Sequence, residues 1–171
     1  MTDGAARPVW VFGAGPVGTA LVPSLAALGF AVTWIDARRA AFPAALPRNV
    51  TVRVSADPCR LLRDIPQGAF ILIMTYSATL DLALAAETLD ARRFPFVGMV
   101  GSAAKRMRFI KRMTQAGMAR QDAARLVCPI GASSAGSRLP AAIAAGIVGE
   151  LLVRNAANGT VPDLITSDGE P

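Results

Sequence analysis

The sequence contains no histidine, and that absence removes much of the catalytic repertoire available near neutral pH. A Ser-His-Asp or Cys-His nucleophile needs an imidazole as its relay base, because no other side chain suited to that position titrates near pH 7. Hydrolase triads of that kind are therefore excluded. Cysteine is nearly absent as well: Cys59 and Cys128 are too few for a disulfide scaffold, and without histidine they make a protein-held metal centre unexpected. Aromatic residues amount to only 6%. With no helix-turn-helix, zinc-finger or base-stacking pattern beside them, nucleic acid is not an expected partner. Met1 to Pro8 shows no basic stretch followed by an apolar core and a small-residue cleavage site, so no signal peptide is expected and the cytoplasm is the expected compartment.

Charge is missing from the whole run between Arg7 and Asp36, which is long enough for a membrane span of about 20 residues. Gly13, Gly15, Pro16, Gly18 and Pro23 break that run into two blocks, as strand, turn and buried helix do, so no span and no membrane partner are expected. What the chain does have is apolar substance. Its 171 residues are 53% hydrophobic and 18% charged, enough for one domain with a real core. Lys and Arg outnumber Asp and Glu by 18 to 12, for a formal charge of +6 supplied almost entirely by Arg, which suits an anionic ligand.

Val9 to Phe12 is a short continuous apolar run ending in glycines, the pattern of a strand covered on both faces. Pro16 suits a first helical turn, Val17, Leu21, Leu25 and Leu28 recur at helical spacing, and Gly29 ends the helix. Ala31 to Ile35, closed by Asp36, and the β-branched Val50 to Val54 read as the next strands. Asp57-Pro58 predicts a short helix with Asp57 as its cap and Leu61, Leu62 and Ile65 on its apolar face. Ala69 to Met74, Phe94 to Val100 and a short piece around Val127 complete the strands. Helices are expected over Thr79 to Leu89, from a Ser102 cap to about Gln115, and from Pro140 to Arg154. Strands alternating with helices imply an α/β fold: a doubly wound, mostly parallel sheet in a three-layer, Rossmann-like sandwich over residues 1–155, with a loosely ordered C-terminal tail over 156–171.

Gly13-Ala14-Gly15-Pro16-Val17-Gly18 matches G-x-G-x-x-G between strand and helix, and Asp36 closes the following strand. In that motif the first glycine makes the tight turn, the second lets backbone approach a phosphate, and the third lets helix and strand touch. The helix N-terminus then offers N–H groups to the anion, and Asp36 can meet ribose hydroxyls. Thr75 and Tyr76 follow another strand and open on the same crevice. Gly101 and Ser102 begin a further helix, with Lys105 one turn in as a candidate anion contact. Arg106, Arg108, Lys111 and Arg112 circle much of that helix and are expected mostly to face water. Cys59 and Cys128 read as core thiols. The small, polar loop from Gly131 to Arg138 is placed to fold over a ligand or to serve as a plain connector.

Five blocks, Val11-Phe12-Gly13-Ala14-Gly15, Val32-Thr33-Trp34-Ile35-Asp36, Met74-Thr75, Gly101-Ser102 with Lys105-Arg106, and Cys128-Pro129-Ile130-Gly131, resemble in order and spacing the C-terminal Rossmann domain of the XdhC/CoxI family. These are the xanthine dehydrogenase accessory proteins, and the likeness runs from about Val9 to Arg154. The resemblance implies a non-enzymatic chaperone that holds the molybdenum cofactor (molybdopterin). Such a protein supports sulfuration of the cofactor by a cysteine desulfurase and delivers it to a molybdenum hydroxylase. The glycine loop would then meet a pterin phosphate or a linked nucleotide. Where the family pattern has histidines this chain has Pro16 and Tyr76, and Ala141 and Ala142 stand in place of glutamates. Only Met1 to Pro8 precedes the first strand, so the Rossmann half alone is expected. The alternative is an NAD(P)-dependent oxidoreductase of small carbonyl substrates, with Tyr76, Ser102 or Lys105 as proton donor and a homodimer interface supplying the rest of its pocket.

Overall fold

The computed structural model describes residues 6–131 and 137–157. Five strands, β1 (Pro8–Phe12), β2 (Ala31–Asp36), β3 (Val50–Val54), β4 (Phe70–Ile73) and β5 (Phe96–Met99), form one all-parallel sheet in the order β3-β2-β1-β4-β5. The helices are α1 (Pro16–Ala27), α2 (Ala78–Asp90), α3 (Ala103–Gln115), α4 (Arg120–Ala123) and α5 (Pro140–Ala157). The chain winds outward from β1 to β3, then crosses back to β4 on the other side of β1. This reversal opens a crevice beyond the carboxyl ends of β1 and β4.

Alternation along each strand divides the core into two layers, because successive side chains point to opposite faces. Trp10, Phe12, Ile71, Ile73 and Met99 meet Leu84 and Leu89 of α2 and Phe109 and Met113 of α3. Val9, Val11, Trp34, Phe70 and Leu72 meet Leu21, Val22 and Leu25 of α1 and Ile147 and Leu151 of α5. The result is the three-layer sandwich. The charge-free run from Val9 to Ile35 resolves into β1, α1 and β2. Among the described residues α5 is the one helix long and apolar enough, by length and composition, to cross a membrane; here its inner side packs on α1.

Three local expectations are corrected, and one helix is added. The helix after Asp57 is a 3₁₀ turn over Pro58–Asp64, and Asp57 does not cap it but pairs with Arg60 at 3.0 Å. Ile65 before Pro66 is pushed out of the helical region, so the segment is too short to settle into an α-helix. The segment around Val127 makes a single bridge to Gly98 rather than a strand, although Val127 and Ile130 both bond backbone groups of β5 and hold the sixth position of the sheet. Helix α4 was not anticipated, since its four residues carry no periodic signal; Asp122 fixes it through Arg92 at 2.6 Å. The apolar stretches around β4 and β5 are trimmed to Phe70–Ile73 and Phe96–Met99. Ala132–Gly136 of the loop and the tail beyond Ala157 lie outside the described residues.

Candidate functional site

The glycine loop is built as its three roles require. Gly13 has φ +116°, and a Cβ there would collide with the carbonyl of Met74 at the end of β4, so the turn admits no side chain. Its N–H donates to Ile35 O at 2.8 Å, and its carbonyl accepts from Trp34 Nε1 at 3.0 Å. A Cβ on Gly18 would lie 2.5 Å from that same carbonyl, which is why α1 can sit so close to β1. Gly15 is different: a Cβ there would meet nothing within 4 Å. The space in front of α1 is therefore open. Gly15 caps α1, Pro16 takes the first helical position, and Thr19 is bonded at 2.9 Å to Gly15 O. By helix geometry the N–H groups of Val17 and Gly18 have no intrahelical acceptor and face this space with the positive end of the helix dipole.

Asp36 lies at the end of β2 and its side chain is only 3% exposed. Its carboxylate accepts from Ala14 N (2.8 Å), Arg38 N (2.9 Å), Arg38 Nε (3.0 Å) and an Arg38 terminal nitrogen (3.0 Å). Burial alone would raise its pKa; the hydrogen bonds from Arg38 and Ala14, with the charge of Arg38, outweigh it and pull the carboxyl from 3.8 down to about 2. Ribose hydroxyls at this site would have to share or replace the Arg38 contact. The Arg38 guanidinium also lies 5.1 Å over the ring of Tyr76, which is 77% exposed. Tyr76 also lines a crevice of about 60 Å³, together with Phe12, Asp36, Ser55, Pro58, Thr75 and Leu80.

A second cluster holds the loop after β4. Asp81, in the first turn of α2 and 1% exposed, accepts from Thr75 N (3.1 Å) and Thr75 Oγ1 (2.6 Å) through one oxygen and from Lys105 Nζ (2.7 Å) through the other. Ser77 caps α2 through Leu80 N. Ser102 caps α3 as expected, accepting from Lys105 N at 3.1 Å. A Cβ on Gly101 would lie 3.0 Å from Cys128 Sγ and 2.9 Å from Lys105 Cδ, so this glycine serves close packing. Burial pushes the Cys128 thiol up against the opposing pull of Lys105 and Arg106; burial and the nearby Glu87 carboxylate push Cys59 to about 11.

The structure thus gathers Gly13, Ala14, Gly15, Pro16, Val17, Gly18, Asp36, Thr75 and Tyr76 around the switch between β1 and β4. Gly101, Ser102 and Lys105 stand behind it, joined through Asp81, with the Lys105 ammonium turned inward. Gly131 belongs to a different contact: with φ +70° it packs against α5, where Gly146 approaches its carbonyl, and its N–H donates to Glu150 at 3.0 Å. Sequence reading missed Trp34 and Asp81 as parts of the site. Only Asp81 carried a visible signal, a lone acid three residues before Leu84 on the inner side of an apolar helix.

Strand order, glycine loop and a carboxylate at the end of β2 define a Rossmann-type domain. The chain belongs to the XdhC family, whose Rossmann domain matches residues 9–151. It is 29% identical over 153 residues to the uncharacterized protein YqeB of Escherichia coli K12, covering 87% of this chain and 28% of YqeB. A crystal structure of a xanthine dehydrogenase from Bacillus halodurans superposes with a TM-score of 0.73 at 25% identity, covering 90% of this chain and 47% of that one. The chain therefore spans less than half the length of either relative.

Proposed function

We propose that this chain is the ligand-holding domain of an accessory protein in the xanthine dehydrogenase system. It binds the molybdenum cofactor, as molybdopterin or a nucleotide-linked form, by its phosphate and hands it to a molybdenum hydroxylase without catalysing a reaction itself. The observation that carries this reading is Gly15: open space stands in front of a helix N-terminus that has no side-chain cap, between Gly13 and Gly18, where a Cβ would clash. That shape and polarity fit a phosphate. The backbone at Gly15, Val17 and Gly18 would hold the phosphate. Asp36 and Thr75 would offer polar contacts along the crevice, and the Tyr76 ring would line it beside them. When bound, the cofactor supplies the oxygen-transfer chemistry that the client enzyme uses. The chain's part is to bind, orient and exclude water, in the cytoplasm and with neither nucleic acid nor membrane as partner. A cysteine desulfurase acting on the held cofactor and pairing with a second copy belong to the same proposal.

A nicotinamide dinucleotide is the second reading, favoured by the Asp36 carboxylate beside Ala14 N, where dinucleotide folds bind ribose. An oxidoreductase on this frame has few proton donors, since Lys105 is held by Asp81 and the Ser102 hydroxyl caps α3. The test is maturation of a molybdenum hydroxylase apoenzyme with and without the chain. Higher client activity in its presence supports delivery; NAD(P)H oxidation with small carbonyl substrates at an enzymatic rate would overturn it in favour of the second reading.

A further inference from the structure

Helix α3 stands apart in its charge. Between Ala103 and Gln115 it carries Lys105, Arg106, Arg108, Lys111 and Arg112 and no acidic residue. Lys105 and Arg106 are used inside the fold, the first by Asp81 and the second by the carbonyls of Leu126 (2.7 Å) and Ala124 (2.8 Å). The exposed side chains of Arg108, Lys111 and Arg112 enter no ion pair or hydrogen bond among the described residues, and neither does that of Arg120 at the start of α4. By contrast Arg53, Arg60, Arg92 and Arg154 each pair with a carboxylate. Like charges three and four residues apart on one helix repel, so this arrangement costs stability, against which stands Arg112 in the last turn, where the helix dipole favours a cation.

Beside these cations runs a groove. It is lined by Met107, Ile110 and Thr114 at helical spacing, together with Arg106, Arg108, Lys111 and Arg120. Met107 is 71% exposed, although a side chain of its type is usually covered. Apolar side chains interspersed with cations complement an amphipathic helix whose apolar residues match that spacing and whose flanks carry carboxylates. No aromatic ring lines the groove, which distinguishes it from a base-stacking surface. We propose that the α3–α4 groove docks an acidic, amphipathic helical segment of a partner protein. This surface is separate from the crevice, so it stands or falls independently of what the crevice binds.

The test uses the full chain, ¹⁵N-labelled, titrated with a synthetic helical peptide of Glu, Ala and Leu with its leucines at i, i+3 and i+7. The comparators are the same peptide with Lys for Glu, a single-stranded oligonucleotide, and phosphatidylserine-containing vesicles. The expected result is amide shifts concentrated at residues 107–114 and 120 with the acidic peptide alone, and an affinity that falls about tenfold between roughly 50 and 300 mM salt. The double variant Arg108→Glu, Lys111→Glu is expected to lose about tenfold in affinity at low salt. Should that variant lose its dispersed spectrum, Met107→Ser decides, with weaker peptide binding at both salt concentrations expected. Shifts elsewhere, no shifts, equal binding of the Lys peptide, tighter binding of oligonucleotide or vesicles, or an unaffected Met107→Ser variant would overturn the proposal.

Discussion

Replacing Asp36 with asparagine removes the charge that ties β2 to the glycine loop while keeping an acceptor for Ala14 N. The folded carboxyl titrates at about 2 against an ordinary value of 3.8. At roughly 1.4 kcal/mol for each pH unit between the two, its ionised form contributes about 2 kcal/mol to folding. The carboxylate is 3% exposed but the Arg38 side chain is 53% exposed, so solvent screening on the arginine side keeps the figure at the low end of that conversion. The sign is that of a depressed carboxyl: the unfolded chain holds the proton more tightly. The contribution is therefore complete above the unfolded value and is lost as pH falls through the folded one. Urea unfolding of wild type and Asp36→Asn is expected to show a stability gap of about 2 kcal/mol at neutral pH that closes as the pH approaches 2. A gap that persists unchanged in acid, or no gap at neutral pH, would refute the reasoning.

The glycines should separate by role: Gly15→Val keeps the wild-type melting temperature but binds neither molybdopterin nor NADPH in calorimetry, whereas Gly13→Ala loses about 2 kcal/mol or more of stability through its positive φ and the Met74 carbonyl. Asp81→Asn leaves the partly buried Lys105 without its counter-charge and should cost about 3 kcal/mol by chemical denaturation; a loss within experimental error would show that Lys105 relaxes outward. Both thiols should react with iodoacetamide at mildly alkaline pH at least about tenfold more slowly than free cysteine, since burial raises each; rapid labelling of either would contradict the packing around it.

β1, β4 and β5 were legible in the sequence because burial on both faces writes them as apolar runs, β3 was legible by its β-branched residues, and Pro16, Gly29 and Ser102 mark helix ends by local chemistry. The 3₁₀ turn after Asp57 misled because Asp-Pro also signals a helix start, and only the nearness of Pro66 keeps it short. In the site, the glycine loop could be read because the glycines themselves exclude side chains from the turn and the helix contact. The pairing of Lys105 with Asp81 could not be read, because which carboxylate a cation finds depends on long-range packing: Asp81 and Lys105 lie 24 residues apart and meet only once β4 and β5 are side by side. Gly131 looked like a ligand loop and is a packing contact, since Gly146, which receives it, sits on a helix formed later in the chain.

The central claim is that a phosphate-bearing cofactor occupies the open space at Gly15. The direct measurement is mass spectrometry of small molecules released from protein purified natively from a host that makes molybdenum cofactor, for wild type and for Gly15→Val side by side. Molybdopterin or its nucleotide-linked form released from wild type and absent from the folded variant is the predicted result. Equal amounts from both proteins, or no phosphate-bearing molecule from wild type, would contradict the account.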